Sequence, residues 1–397
     1  MANKNLSKAK NAKNDEFYTQ FADIQKEINA YLEYNENVFR DKTILLPCDD
    51  PEWSNFTKFF AQNFETFGLK KLISTSYAYK SKNIPNLPNL ITEFEKNSPN
   101  FNEEVTETRG KLFVLERSPN GSNHLNISNL EWSYLEGDGD FRSDEVKKLR
   151  DEADIIITNP PFSLFREFLA WIVEANKKFV IIGNMNAITY KEVFPLIKDN
   201  KMWLGATGFS TDMVFAVPKG AEVKQSDKEK AERLGYVGDY TRLGNSCWFT
   251  NIEHGRRHQP LELMNMADNL KFNKKIKENG YPKYDNYDAI EVCETKAIPS
   301  DYYGVMGVPI SFLDKYCPEQ FKIISISMAG CNEDSINLRK DYSKFIGYKQ
   351  DGSKTGRTGS TFGACPVLVK NDLKSVYYEF QNKQVQAVYC RVFIKRI

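Results

Sequence analysis

Short apolar runs alternate with helical patterns through the first 255 residues of the chain. Both faces of these runs are rich in Ile, Leu and Val, which is typical of strands in a parallel sheet that helices cover on both sides. Five stretches have this pattern: 42–50, 70–77, 153–161, 178–186 and 201–205. Two further stretches, 213–218 and 247–253, predict antiparallel edge strands.

The segment after the third run predicts a helix over residues 163–177. Ser163 stands at its N-cap position, and its apolar side chains recur at the spacing of one helix face. That face is formed by Phe165, Phe168, Leu169 and Ile172. Strand, loop, helix and strand form a βαβ unit, for which a right-handed crossover is expected. The pattern therefore predicts an α/β fold with a mostly parallel sheet.

Two regions depart from this alternation. Residues 80–130 are rich in Asn, Ser and Pro, which predicts a long excursion outside the core sheet. After residue 255 the chain becomes aromatic and rich in Lys, and it contains a Gly/Ser/Thr loop at 351–363. We predict a first domain over 1–255, with an insertion at 78–130, and a second, smaller domain over 256–397.

The composition is that of a globular protein. A chain of 397 residues with 41% hydrophobic residues can bury a sizeable core, and its length suggests two or three domains. No apolar run approaches the roughly 20 residues of a membrane span, and the first residues lack the apolar stretch of a signal peptide. The seven cysteines include no C-x-x-C pair, which argues against a disulfide framework or a thiolate zinc site. We therefore expect a cytoplasmic protein with reduced cysteines.

The net charge of +1 conceals an asymmetry along the chain. Residues 339–397 contain 12 Lys and Arg against 4 acidic residues, a sum of +8, so the first 338 residues sum to −7. The basic end is either a surface that faces a polyanion or an ordinary solvated face. The first 14 residues contain four lysines and no acidic residue, which predicts a flexible basic arm.

The third apolar run ends in Asn159, Pro160, Pro161 and Phe162. Ligands of open parallel sheets bind at the carboxyl ends of strands. The side chain of Asn159 and the carbonyl of Pro160 are two hydrogen-bond acceptors, and neither proline has an N–H that competes with them. Phe162 offers a face on which a flat ring can stack. This turn suits a planar amino group, although a proline-terminated strand in a metabolic α/β enzyme would look similar.

The tetrapeptide matches the [DNS]-P-P-[YFW] motif of amino-methyltransferases, and the chain resembles the EcoRI modification methylase family of γ-ordered adenine-N6 DNA methyltransferases. The resemblance implies a Rossmann-like fold that uses S-adenosylmethionine (SAM), site-specific methylation of adenine N6 in DNA for restriction–modification or epigenetic marking, and a C-terminal target-recognition domain. It is carried by "KNDEFYTQFADI" (13–24), "CDDPEWSNFTKFF" (48–60), "GLKKLI" (68–73), "GDGDFRS" (137–143), "TNPPFSLFREFL" (158–169), "NAITYKEVF" (186–194), "YPKYDNYDAI" (281–290) and "DYYGVMGVPISFL" (301–313).

The same resemblance implies a SAM site without a metal. Nine residues match the family's cofactor positions: Phe17, Tyr18, Thr19, Asp49, Asp50, Pro51, Asn55, Asp140 and Phe141. The first three would line the methionine part of SAM, and the next four would shape the loop after the first strand, where many methyltransferases have a glycine-rich turn. Asp140 would receive the amino group of the cofactor's adenine, and Phe141 would pack on its ring. The second strand lacks the usual ribose-binding acid, so Asp49 or Asp50 is the alternative.

The reaction that this resemblance implies needs positioning more than acid–base chemistry. Asn159 and the Pro160 carbonyl would accept both amino hydrogens of adenine and aim the nitrogen lone pair at the methyl group. The target base must first be flipped out of the duplex, and Phe162 would then replace the lost stacking.

Several basic and aromatic residues are candidates for contacts with DNA. Lys354 and Arg357 lie in the Gly/Ser/Thr loop, which lacks the GK[ST] ending of a phosphate cradle. Arg256 and Arg257, in "HGRRH", are phosphate contacts or simple surface residues, and the two flanking histidines, without a third ligand, make a weak metal site. A tyrosine cluster is expected in the core of the second domain, formed by Tyr281, Tyr284 and Tyr287.

Other functions are compatible with the tetrapeptide alone. The same turn serves enzymes that methylate RNA amines or protein glutamine, and a non-catalytic DNA-binding module is a further alternative. The basic C-terminal region favours a nucleic acid. We expect a monomer that acts on double-stranded DNA. The sequence leaves open whether a cognate endonuclease acts on the same site, in which case we expect no stable complex with it. The resemblance does not cover residues 325–385, so the family's target sequence is not carried over.

Overall fold

A computed structural model describes residues 18–52, 54–78, 101–117, 131–208, 212–217, 223–328, 346–358, 365–369, 377–380 and 383–397. The chain forms two compact units. The first unit contains Met1–Met185 and Leu204–Gly255, and the second contains Asn186–Trp203 and Arg256–Ile397. The division into functional domains near residue 255 stays a prediction. Residues 186–203, which that division assigns to the first domain, belong to the second unit.

Strands occur at the positions of all the apolar runs in the first 255 residues. In chain order they are β1 (Tyr18–Thr19), β2 (Thr43–Leu46), β3 (Lys71–Thr75), β4 (Lys111–Glu116), β5 (Trp132–Tyr134), β6 (Ile155–Thr158), β7 (Lys178–Asn184), β8 (Trp203–Leu204), β9 (Val214–Ala216), β10 (Tyr240–Arg242) and β11 (Ser246–Thr250). The helices are α1 (Phe21–Tyr34), α2 (Asn55–Gln62), α3 (Glu103–Thr108), α4 (Asp144–Glu152), α5 (Phe165–Glu174), α6 (Phe194–Lys198) and α7 (Gln225–Arg233).

An eight-stranded sheet forms the centre of the first unit, in the order β5-β4-β3-β2-β6-β7-β11-β8. β3, β2, β6 and β7 are parallel neighbours, as their continuous apolar sequences predict. β2 and β6 are buried at every residue. A second, three-stranded sheet has the order β1-β9-β10. The prediction of an α/β fold with a mostly parallel sheet is confirmed.

Several helices begin at a side chain that bonds to the backbone, and α2 and α4 are two of them. The Ser54 hydroxyl accepts a hydrogen bond from the Phe56 N–H at the start of α2, and the Ser143 hydroxyl accepts one from Val146 at the start of α4. α5 connects the parallel strands β6 and β7. Its apolar face is buried on the sheet, as the low exposure of Phe165, Phe168 and Leu169 shows.

Three details of the sequence prediction are corrected. Ser163 does not cap α5, because a 3-10 turn occupies Phe162–Leu164 and α5 begins only at Phe165, with Leu164 at the N-cap. Residues 80–130 do not lie wholly outside the core sheet, because β4 pairs with β3. β11 is antiparallel to β7 as expected, but β8 lies beyond it at the sheet edge, and β9 belongs to the three-stranded sheet.

The described residues of the second unit that follow Gly255 contain two short α-helices and nine strands, and α6 also belongs to this unit. The helices are α8 (Met266–Phe272) and α9 (Lys274–Asn279). The strands are β12 (Ile290–Glu291), β13 (Met306–Pro309), β14 (Phe321–Ile326), β15 (Ile346–Tyr348), β16 (Lys354–Thr358), β17 (Val367–Val369), β18 (Tyr377–Phe380), β19 (Lys383–Ala387) and β20 (Arg391–Arg396).

These strands form two sheets, with the orders β12-β13-β20-β14 and β16-β15-β18-β19-β17. The core beside them contains Tyr284 and Tyr287, which are 3% and 1% exposed, as predicted for the tyrosine cluster. Tyr281 is half-buried and donates to the carbonyl of Ala297. None of the helices among the described residues combines the length and apolarity that crossing a membrane requires.

Candidate active site at the ends of the parallel strands

The carboxyl ends of five strands meet at one edge of the large sheet. β2, β3, β6 and β7 run in one direction, and β5 shares it because β5 and β3 are both antiparallel to β4. β3 flanks β2 on one side and β6 flanks it on the other, so the strand order reverses between β2 and β6. Ligands of open α/β sheets bind outside such a reversal.

Asp49, just after β2, connects three strand ends and a helix. Its carboxylate accepts hydrogen bonds from the hydroxyls of Ser54 and Thr158, both at 2.7 Å. Its backbone N–H donates to the carbonyl of Thr75 at 2.9 Å, and its carbonyl accepts from the Ser74 hydroxyl at 2.5 Å. Asp49 therefore joins the ends of β2, β3 and β6 to the start of α2.

Burial changes the acidity of this carboxyl group. Asp49 is only 6% exposed, and the loss of hydration raises its pKa to about 7, although the hydroxyls of Thr158 and Ser54 act in the opposite direction. The charge of Asp50 adds to the rise. Both carboxylate oxygens contact protein hydroxyls, so Asp49 acts in the framework of the site.

The side chain of Asn159, just after β6, is hydrogen-bonded to a residue that is distant in the sequence. Its Nδ2 atom donates to Thr19 Oγ1 at 3.3 Å. The Asn55 side chain, at the start of α2, donates to the Thr19 carbonyl at 2.8 Å. The structure thus brings together three residues that the sequence analysis assigned to the site, on the loop after β6, on β1 and on α2.

The two prolines give a stiff exit from β6. Pro160 is buried, Pro161 is half-buried, and the Pro161 carbonyl accepts from the N–H of Leu164 at 3.0 Å in the 3-10 turn. Phe162 is half-buried and packs partly against the core. The ring is therefore supported on one side while part of it stays accessible, as a stacking surface requires.

The loop at 137–143 follows β5 and approaches the same edge. Gly139 has a φ of +81°, and a Cβ atom there would collide with the carbonyl oxygen of Ser76. The N–H of Ala78 donates to the Asp138 carbonyl at 2.7 Å. Glycine thus lets this loop lie directly on the segment that follows β3.

Asp140 and Phe141 in this loop have different surroundings. The Arg142 guanidinium binds both carboxylate oxygens of Asp140, at 2.9 and 2.6 Å, and its hydrogen bonds hold the pKa of that carboxyl below its usual range. Phe141 is 5% exposed, with its ring edge-to-face with Phe168 and Trp171. Asp140 is thus an ionised acceptor, whereas Phe141 offers little surface to a ligand.

Two acidic residues of the loop after β2 form ion pairs with one lysine. Asp50 lies 3.2 Å from the Lys111 ammonium, which also lies 2.6 Å from Glu52. The Lys111 and Glu52 side chains are almost completely buried, whereas Asp50 is 16% exposed. Pro51 is buried within the same turn. Lys111 lies on β4, so the strand that the sequence analysis missed supports this loop.

A comparison with known families shows which family the chain belongs to. The model of the family described as adenine-specific methyltransferase EcoRI matches residues 5–396 of the chain. The chain belongs to this family.

Curated relatives agree with this assignment. The chain is 42% identical to the type II methyltransferase M.EcoRI of Escherichia coli over 346 residues, which cover 87% of this chain and 96% of that protein. It is 33% identical to the type II methyltransferase M.MpnI of Mycoplasma pneumoniae over 320 residues, which cover 80% of this chain and 84% of that protein. No solved structure matches the chain significantly.

The EcoRI-family assignment confirms the main functional prediction. The protein is a DNA adenine methyltransferase, and this family implies the use of SAM in general. The alternatives of an RNA methyltransferase, a protein-glutamine methyltransferase or a non-catalytic module receive no support from these relatives.

Arg256 and Arg257 of this methyltransferase contact the protein itself. Arg256 donates to Asp314 at 2.5 Å and is partly exposed. Arg257 is buried, with its guanidinium 3.9 Å above the Trp203 ring and a hydrogen bond to Asn200. Little of Arg257 is exposed, so Arg256 is the better candidate of the two, and a DNA contact of either arginine stays a prediction.

The remaining predicted DNA contacts lie in the second unit. Lys354 is exposed at the start of β16, and Arg357 lies on the same strand. Residues 354–358 are thus a strand, whereas the sequence predicted a loop. Of the predicted cofactor residues, Phe17 lies outside the described part of the chain. Tyr18 is half-buried beside the buried Thr19 on β1.

The two histidines of "HGRRH" contact different groups. His254 is buried, and its Nε2 atom lies 2.9 Å from the carbonyl oxygen of Leu204. His258 Nδ1 lies 2.8 Å from the Glu319 carboxylate. Within the described ranges, no three His, Cys, Asp or Glu side chains are grouped so that they could hold a metal ion.

Sequence reasoning missed several residues that support the site. Ser54 had a recognisable signal, since a serine directly before a helix predicts an N-cap. Thr158 and Lys111 had none, because each contacts a residue that is distant in the sequence. Arg142 is only two residues from Asp140, but its sequence position does not show that it binds that carboxylate. The missed residues share one role, which is to hold the loops that carry the predicted acceptors.

Proposed function

We propose that this DNA adenine methyltransferase binds the N6 amino group of a flipped adenine with Asn159 and the carbonyl of Pro160. Two acceptors hold both amino hydrogens and turn the nitrogen lone pair outward, so the reaction needs orientation and no general base before attack. The single observation that supports this most strongly is the Asn159 side chain, tied through Nδ2 to Thr19 at the sheet edge where strand order reverses.

Phe162 is proposed to stack on the flipped base. Removing a base from the duplex loses its stacking, and an aromatic face recovers part of that free energy. The half-buried ring, supported by the core below it, is suited to this role.

The proposed SAM site lies beside these acceptors. When bound, SAM supplies a methyl group made electrophilic by the sulfonium. Asp140 fits the amino group of the cofactor's adenine, because Arg142 keeps its carboxylate ionised and able to accept hydrogen bonds. Asp50 is the better candidate for the ribose hydroxyls, since it is more exposed than Asp49. Pro51 and Asn55 shape the loop, Tyr18 lines the methionine part, and no metal ion is required.

The DNA substrate is proposed to be a specific double-stranded site that the second unit recognises. The +8 charge of residues 339–397 supports contacts with phosphate groups, and Lys354 and Arg357 are the candidates within this segment. Arg256, outside the segment, is a further candidate. We further propose that the protein is a cytoplasmic monomer. An endonuclease that cuts the same DNA site would act without forming a stable complex with it.

The test is a methyl-transfer assay with tritiated SAM and the purified chain. Duplex DNA, RNA and a protein extract are offered separately, and we expect label only in DNA, as N6-methyladenine. Asn159→Ala should lower the rate by about 100- to 1000-fold, as loss of one preorganised electrostatic partner does. Label only in RNA or protein, or an unchanged rate for Asn159→Ala, would overturn the proposal.

Two matched variants separate chemistry from folding. Asn159→Asp keeps an acceptor oxygen and stays within the family motif, so it should retain more activity than Asn159→Ala. Phe162→Tyr keeps the ring and should remain active, whereas Phe162→Ala should lose base stacking worth about 1–3 kcal/mol. Sequencing the genome of an expressing host for methylated adenine identifies the DNA site used in these assays.

A further inference from the structure

We propose that Thr19 is a positioning residue for Asn159, in addition to any contact with the cofactor. This inference rests on the proposed role of Asn159 as an acceptor. The Thr19 hydroxyl accepts the Asn159 Nδ2–H and so holds the side-chain amide with its oxygen directed towards the substrate amino group.

The geometry of the amide gives the first argument. The oxygen and nitrogen of a carboxamide are bonded to one carbon and lie in one plane, and the oxygen accepts hydrogen bonds whereas the nitrogen donates them. The Asn159 Nδ2 atom donates to Thr19 Oγ1 at 3.3 Å, so this bond occupies the nitrogen of the amide and not its oxygen. When that oxygen accepts a hydrogen from the substrate, the amide nitrogen still has its own acceptor. The bond is thus compatible with the state in which the reaction occurs.

Thr19 is itself held firmly, which a positioning residue requires. It is 4% exposed, and β1 pairs it with Phe215 on β9. Its carbonyl accepts from the Asn55 side chain at 2.8 Å. Asn55 is the first residue of α2, directly after Ser54, whose hydroxyl bonds to Asp49.

Asn159 is therefore fixed from two directions. Along its own strand it follows Thr158, which donates to Asp49. From across the chain, Thr19 is connected through Asn55 and Ser54 to the same Asp49. Misplacement of a reacting group by about 1 Å can lower a rate by about 100-fold, so such a double support matters for catalysis.

A positioning role and a cofactor-wall role predict different kinetics. A residue that only lines the SAM site changes the affinity for SAM when it is altered. A residue that holds Asn159 changes the rate of methyl transfer at saturating SAM and DNA, because the orientation of the acceptor is lost while binding is kept.

The test uses the full chain with Thr19→Val, which removes the hydroxyl at nearly constant shape. We expect the single-turnover rate at saturating SAM and DNA to fall by about 10- to 100-fold, a loss that no change in SAM affinity can produce at saturation. Thr19→Ser restores the hydroxyl and should recover most of the rate. An unchanged rate, a loss explained by SAM affinity alone, or no recovery with Thr19→Ser would overturn the inference.

A double-mutant cycle checks that Thr19 acts through Asn159. In the Asn159→Ala background, Thr19→Val should cause little further loss, because the group that it positions is gone. An equal loss in both backgrounds would overturn the inference. If Asn159→Ala itself keeps full activity, the proposed function fails first, whereas a large effect of Asn159→Ala with none of Thr19→Val refutes only the positioning role.

Discussion

The edge of the large sheet and the five-stranded sheet of the second unit use polar side chains in opposite ways. At the edge, Asp49, Thr158 and Ser74 are buried and hydrogen-bond to one another or to backbone. In the five-stranded sheet, Lys354 and Glu379 are exposed to solvent. Polar groups of the first kind fix a geometry, and polar groups of the second kind are available to a partner.

One row of the five-stranded sheet illustrates the second kind. Tyr348 on β15 lies opposite Lys354 on β16 and opposite Tyr377 on β18. The two tyrosine rings stack, with their centroids 5.5 Å apart. Lys354 is exposed at the end of this row, beside the half-buried Tyr348 and the buried Tyr377, so its own contribution to folding should be small compared with that of the buried edge.

The largest expected effect tests whether Asp49 makes the stability of the edge depend on pH. Its pKa is about 7 in the folded chain against 3.8 for an ordinary Asp, so the folded state binds the proton more tightly. The free energy of unfolding should therefore fall as pH rises from about 4 to 7, by up to about 1.4 kcal/mol per pH unit, and level off above that range.

Asp49→Asn removes this titration while keeping a side chain that can bond to both hydroxyls. Urea denaturation of the two proteins from pH 4 to pH 8 measures the difference in unfolding free energy. We expect the wild type to lose stability relative to Asp49→Asn over that range. Parallel curves for the two proteins would show that Asp49 does not titrate differently in the folded state.

A smaller effect is expected from the hydroxyl that donates to Asp49. Thr158→Val keeps the shape of a completely buried residue but removes its hydrogen bond to the carboxylate. The unfolding free energy should fall by about 1.5–3 kcal/mol at pH 8, and by less at pH 5, where Asp49 is protonated. Thr158→Ser keeps the donor and is the control, so a loss as large as that of Thr158→Val would assign the effect to packing.

The part of the fold that could be predicted from the sequence consists mainly of the buried parallel strands. β2, β3, β6 and β7 were predicted because their sequences are continuous apolar runs. β4 was missed because its apolar run in "KLFVLE" is only four residues long and lies within a stretch rich in Asn, Ser and Pro. Ser163 was misassigned as a cap because a 3-10 turn before α5 leaves no trace in helical spacing.

The candidate site also has a part that could be predicted from the sequence and a part that could not. Asn159 to Phe162 could be found because the motif is contiguous in sequence. The support of that motif could not be found, because Thr158 and Asp49 are 109 residues apart and Asn159 and Thr19 are 140 residues apart. The burial of Arg257 was also hidden, since its partners Trp203 and Asn200 lie more than 50 residues earlier in the chain.

The smallest effect on stability, and a selective one on DNA binding, is expected for Lys354→Ala. The side chain is exposed, so the free energy of unfolding should change by less than about 0.5 kcal/mol. If Lys354 contacts a phosphate, the slope of log affinity for duplex DNA against log salt should become shallower by about 1. Fluorescence anisotropy over a range of salt concentrations measures this slope.

The control is Lys322→Ala, which removes another exposed lysine of the second unit, on β14 of the four-stranded sheet. Both variants lower the net charge equally, so a general electrostatic effect would change both slopes alike. A shallower slope for Lys354→Ala alone places the phosphate contact on the five-stranded sheet. Equal slopes for the two variants would contradict it, and the exposed Lys354 would then differ from the buried edge only in its small effect on stability, without a role in binding DNA.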